Sequence, residues 1–181
     1  MVGLRIPSNK PFFLILGPPN SGKTTLMYRL YSGIFYTTFQ VNNRDFEEVR
    51  VDNVRLRTLN IVENNLQKET WIPLALGSSG IIYIIDSTSN NEAETHILFH
   101  DVRAIDELKQ LPLLVCVNKI DLKEDFRFLQ DLGLPEEQEN SFRTQKISCK
   151  TTEGIIEGMK WLMEKTKTFF YIPAFRKLKS M

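Results

Sequence analysis

The octapeptide Gly-Pro-Pro-Asn-Ser-Gly-Lys-Thr, running from Gly17 to Thr24, has the residue types and the spacing of a phosphate cradle. It fits the pattern G-x-x-x-x-G-K-[ST], and it stands between an apolar run at 12–16 and a segment of helical periodicity at 24–31. In that setting the backbone N–H groups of the loop and of the helix N-terminus converge on one spot, where the helix dipole favours negative charge. Lys23 is placed to bridge the outer phosphates, and Thr24 to offer its hydroxyl to Mg²⁺. Pro18 and Pro19 carry no N–H, so the phosphate-facing donors are assigned to Asn20, Ser21, Gly22, Lys23, Thr24 and Thr25. The blander alternative is a glycine-rich turn that happens to precede Lys-Thr; the strand, loop and helix order argues against it.

The base is addressed further along, by Asn118-Lys119-Ile120-Asp121. A carboxylate at Asp121 can accept two hydrogen bonds, from N1–H and from the exocyclic amine of guanine, an edge that adenine does not present. Asn118 would brace the loop and touch the purine, and the Lys119 stem would cover its face. Ser148-Cys149-Lys150 would bring a backbone N–H near Cys149 to the guanine oxygen, leaving the thiol without chemistry. Each of these short motifs is weak alone; the phosphate loop and the two together point to a guanine nucleotide.

Elements must hold these loops at one edge. The runs at 12–16, 80–85 and 113–117 are too continuously apolar for half-exposed strands and read as strands buried on both faces. Stretches 46–51 and 54–62 read as a hairpin around Val51-Asp52-Asn53. Helices are expected at 24–31, 92–108 and 152–166, the last with Ile155, Ile156, Met159, Leu162 and Met163 on one face. Such alternation predicts one α/β domain with a mostly parallel sheet, with no repeat and no second domain.

Composition narrows the class of partner. A chain of 181 residues, 42% hydrophobic, can bury a substantial core, and a net charge of +1 supplies no field for nucleic acid or acidic membranes. The apolar runs fall far short of the ~20 residues needed to cross a bilayer. The two cysteines, Cys116 and Cys149, have no metal or disulfide spacing, so a reducing, cytoplasmic setting is expected. His96 and His100 stand four apart on a predicted helix but lack further ligands nearby, and are read as solvent-facing. Trp71 and Trp161 are read as packing residues. The aromatic and basic C-terminal stretch is read as a helix end on the core followed by a loose basic tail.

The segments at 13–30, 80–88, 113–122, 129–134 and 147–162 resemble, in residue type and order, the Arf and Arf-like branch of the small GTPases. The resemblance implies a P-loop small GTPase fold: a six-stranded, mostly parallel sheet with one antiparallel edge strand, flanked by helices. It divides the chain into an N-terminal extension at 1–11, a G domain at 12–168 and a C-terminal tail at 169–181. It further implies GTP or GDP and Mg²⁺ as ligands, effector or assembly proteins as partners, a monomeric G domain, and two switch segments that rearrange around the γ-phosphate.

The departures lie in those switches. No Asp-x-x-Gly exists in the sequence; gapless counting from Asp86 puts Asn60 at the family's Asp, Glu63 at its Gly and Asn64 at its catalytic Gln. A Glu in place of the Gly adds a side chain and a negative charge beside a negative ligand. No residue is therefore assigned a catalytic role. For the second Mg²⁺ hydroxyl, Thr37 and Thr38 are within reach, whereas gapless counting gives Val41; Thr38 is the candidate. Val2 occupies the place where myristoylation needs glycine, Pro7 and Pro11 interrupt any amphipathic helix, and no prenylation box ends the chain, so no direct membrane anchor is expected. The expected function is a guanine-nucleotide-binding Arf-like protein acting through protein partners, with weak or absent hydrolysis. The alternative is a non-catalytic relative that keeps GTP or GDP as a structural ligand in an assembly. A P-loop kinase of small metabolites would leave Asp121 and the loop at 148–150 without a role.

Overall fold

A computed structural model describes residues 11–33, 46–59, 61, 68–89, 99–100, 102–122 and 141–172. The elements are β1 (Phe12–Leu16), α1 (Lys23–Ser32), β2 (Phe46–Val51), β3 (Val54–Leu59), α2 (Lys68–Leu76), β4 (Gly80–Asp86), β5 (Leu113–Asn118), β6 (Phe142–Lys146) and α3 (Ile155–Thr166). A 3-10 helix, Asp106–Gln110, lies between β4 and β5. The six strands form one sheet in the order β2-β3-β1-β4-β5-β6. All neighbours are parallel except β2, which pairs antiparallel with β3 at the edge. The expected fold, an α/β domain with a six-stranded sheet flanked by helices, is the one observed.

The apolar runs are continuous because each sheet face has its own core. Along β1, Phe13 and Ile15 face a cluster with Leu26, Met27 and Leu30 of α1 and Met159, Trp161 and Leu162 of α3. Phe12, Leu14 and Leu16 face the other way, onto Trp71 and Ala75 of α2 and onto Phe99 and Val102. Side chains alternate across a strand, so a strand covered on both sides must be apolar at every position. Both tryptophans are packing residues, as expected. Beyond α3, Phe170 and Ile172 belong to the first cluster, with the Phe170 ring 5.9 Å from that of Phe13.

Two elements were not foreseen and one changes form. Helix α2 carries Pro73 in its interior, and β6 (Phe-Arg-Thr-Gln-Lys) has only Phe142 fully buried. The helix expected over 92–108 does not run to its end: Phe99, His100 and residues 102–104 are helical, but Ile105 is extended (φ −86°, ψ 107°) and the 3-10 helix follows. The hairpin forms with Val51 paired to Val54 and Asp52 at φ 56°, and its second strand stops at Leu59. No helix among the described residues is long and apolar enough to cross a membrane. His96 lies outside the described residues, and His100 is exposed.

Candidate functional site

The phosphate loop leaves β1 at Gly17 (φ 149°), where a Cβ would stand 2.2 Å from the Ile84 carbonyl oxygen. It enters α1 at Gly22 (φ 104°), where a Cβ would stand 2.4 Å from Nδ2 of Asn118. Both glycines are therefore required by close approach as well as by backbone angle. Asn20 is also left-handed, at φ 59°. No side chain caps α1, and its first turn holds no acidic residue, which suits an anion. Lys23 is buried, and its Nζ donates to the carbonyls of Gly17 at 3.0 Å and Pro18 at 2.8 Å, which holds the ammonium over the loop. Thr24 and Thr25 are half-buried in the same turn. The Ser21 hydroxyl is buried without a hydrogen-bond partner among the described residues.

The tip of β5 supplies Asn118, which is 2% exposed and ties the site together. Its Nδ2 donates to the Ser21 carbonyl at 2.9 Å, and its Oδ1 accepts from the Cys149 N–H at 3.0 Å. One amide side chain thus joins the phosphate loop to the loop at 148–150. Lys119 takes φ 66° and its Nζ meets Oδ2 of Asp86 at 2.5 Å. Asp86 ends β4 in register with Asn118, and its Oδ1 accepts from the Thr88 N–H at 2.8 Å and hydroxyl at 2.7 Å. Asp121 Oδ1 accepts from the Ser148 hydroxyl at 2.6 Å, and the Lys150 ammonium lies 3.9 Å from Asp121 Oδ2.

The sequence-selected residues Asn20 to Thr25, Asn118, Lys119, Asp121 and Ser148 to Lys150 therefore converge at one edge of the sheet. The N–H of Cys149 is engaged by Asn118. Burial pushes the Cys149 thiol up to about 12, which keeps it protonated and unreactive at neutral pH. Thr37, Thr38 and Val41, considered for the first switch, and Asn60, Glu63 and Asn64, counted to the second, lie outside the described residues. Among the described residues no group of three or more His, Cys, Asp or Glu could hold a metal ion. Two contributors were missed from sequence. Asp86 had a legible signal, a carboxylate ending an apolar strand. Arg29 had none, since an arginine on a helix reads as a solvated charge; in the structure it is buried under the loop at 148–150.

A family model for the ADP-ribosylation factor family matches residues 4–166. Similar relatives include ADP-ribosylation factor 3 of Arabidopsis thaliana, 27% identical over 159 residues, covering 86% of this chain and 87% of that one. ADP-ribosylation factor-like protein 5A of Rattus norvegicus is 26% identical over 158 residues, covering 85% and 88%. ADP-ribosylation factor 1 of Brassica rapa subsp. pekinensis is 26% identical over 159 residues, covering 86% and 87%. With the matched span reaching from before the phosphate loop to the end of α3, the chain belongs to the ADP-ribosylation factor family of small GTP-binding proteins.

Proposed function

We propose that this protein binds guanine nucleotide with Mg²⁺ through Asn20 to Thr25, Asn118, Lys119, Asp121 and the loop at 148–150, acts through protein partners, and hydrolyses GTP weakly or not at all. The observation that carries the binding part is the pair of hydrogen bonds of Asn118, one donated to the Ser21 carbonyl and one accepted from the Cys149 amide, which makes phosphate loop and base loop one rim. The donor set fits the ligand. The amides of an uncapped helix turn and the Lys23 ammonium face phosphates, and the Asp121 carboxylate reads the N1–H and amine edge of guanine. Because Asn118 occupies the Cys149 amide, we assign the donor to the guanine oxygen to the Lys150 N–H. Mg²⁺ would rest on the Thr24 hydroxyl, with Thr38 the candidate for a second.

The weak-hydrolysis part rests on Asn60, Glu63 and Asn64, which gapless counting from Asp86 sets against the family's Asp, Gly and Gln. An asparagine at position 64 is one methylene shorter than the water-orienting glutamine, and at position 63 a side chain replaces the glycine. The same loss favours a second reading, in which GTP or GDP is a permanent structural ligand within a larger assembly. Displacement of a fluorescent guanine nucleotide tests the first part: GTP and GDP compete, ATP competes far more weakly, and equal competition by ATP and GTP would refute it. Chromatography of nucleotide extracted from the purified protein separates the two readings, since a structural ligand is recovered as one species at full occupancy and resists exchange.

A further inference from the structure

Arg29 sits on α1, the helix whose first turn carries Lys23 and Thr24, yet its side chain reaches across to the base loop. It is 9% exposed. Its Nε donates to the Cys149 carbonyl at 3.0 Å, one terminal nitrogen donates to the Lys150 carbonyl at 2.5 Å, and the other donates to the Gly33 carbonyl at 3.0 Å. Burial lowers the guanidinium from its ordinary value, so the fold bears a desolvation penalty to keep it there. The planar fork fixes the positions of two consecutive carbonyls, which a flexible ammonium does not do.

The peptide plane gives this contact its consequence. In a trans peptide the C=O of one residue and the N–H of the next point in opposite directions. With the Cys149 carbonyl held on Arg29, the Lys150 N–H is aimed away from α1. With the Lys150 carbonyl held as well, the Thr151 N–H is turned onto Ser148 Oγ, from which it lies 3.0 Å, and that hydroxyl donates to Asp121 Oδ1 at 2.6 Å. We infer that Arg29 is a positioning residue for base recognition: it aims the Lys150 amide at the guanine oxygen, steadies Asp121 through Ser148, and locks the base subsite to the helix that carries the phosphate subsite. This rests on the guanine-nucleotide reading above.

The test compares GDP with 6-thioguanosine diphosphate, in which sulfur, a weak hydrogen-bond acceptor, replaces the guanine oxygen while the N1–H and the amine read by Asp121 are kept. In the unaltered protein that replacement weakens binding about tenfold, the effect of leaving one buried donor without a good acceptor. In Arg29→Gln that penalty falls below about threefold, and in Arg29→Lys, which keeps the charge without the fork, it is intermediate. A thermal melt accompanies each measurement, and if Arg29→Gln does not fold, Arg29→Lys carries the comparison. A merely structural arginine would lower the melting point and weaken both nucleotides by one factor, leaving their ratio at the unaltered value; that result overturns the inference. A penalty that persists in both variants sinks only this inference, whereas no penalty in the unaltered protein sinks it together with the guanine-oxygen contact on which it rests.

Discussion

Around Asn118 the chain commits side chain after side chain to joining loops: Asn118 to Ser21 and Cys149, Lys119 to Asp86, Ser148 to Asp121 and Arg29 to Cys149 and Lys150. Over 60–67 the sequence instead carries Asn60, Glu63 and Asn64, which, on the gapless count proposed above, replace the family's γ-phosphate-sensing Asp and Gly and its water-orienting Gln. The two regions do different thermodynamic jobs. Holding a ligand requires only that the site fit it, whereas switching requires that GTP and GDP differ in affinity for two conformations. A chain can therefore keep all the determinants of binding and lose those of response.

The contrast breaks first at Lys23. Lys23→Ala removes the buried ammonium beside the phosphates, and guanine-nucleotide affinity falls by at least about 3 kcal/mol, more than a hundredfold, by isothermal titration. Retained affinity would show that the phosphate loop is not the anchor. Next, Asp121→Asn exchanges a carboxylate acceptor for an amide, which weakens GDP by about 2 kcal/mol and turns preference toward xanthine nucleotides in competition binding. On the other side of the comparison, GTP and GDP affinities agree within about tenfold, or ~1.4 kcal/mol. No single-turnover hydrolysis is detected beside the ~10⁻⁴ s⁻¹ of an intact relative. Asn60→Asp, Glu63→Gly and Asn64→Gln together restore part of the discrimination. An unaltered protein that hydrolyses GTP at the intact rate, or whose 60–67 segment changes hydrogen-exchange protection between GTP and GDP, would end the contrast.

The smallest effect concerns the thiols. Burial raises both Cys116 and Cys149, so the folded protein keeps protons that the unfolded chain releases. Their contribution to stability is present in full below the ordinary thiol value of about 9 and declines as the pH rises toward about 12. Native protein at pH 8 resists maleimide, and both thiols react after denaturation; rapid native labelling would contradict the burial.

Much of this was legible because strong physics leaves plain marks. A strand covered on both faces must be apolar throughout, so β1, β4 and β5 declared themselves within a residue of their ends. The phosphate loop was legible because its glycines answer to a carbonyl and an amide that leave no room for a Cβ. Edge strand β6 was not, because with a neighbour on only one side it need bury little beyond Phe142. Helix α2 was masked by Pro73, which locally argues against a helix that the packing of Trp71 and Ala75 supports. Ile105 broke the expected long helix although nothing in its residue type forbids helix. Arg29 was the deepest miss: its role depends on a loop 120 residues away, and no local pattern encodes that distance.

That separation also bears on how the protein is made. The Asn118 to Ser21 bond spans 97 residues and the Arg29 to Cys149 bond spans 120, so the pocket cannot close while the C-terminal third is still inside the ribosome. At roughly 5–20 residues per second, α1 waits on the order of ten seconds for its partner loop. Nucleotide capture is thus among the last events of biogenesis. Once captured, a ligand stabilises the native state in proportion to the logarithm of its concentration over Kd, so the pocket that closes last is also where binding adds to the stability of the finished chain.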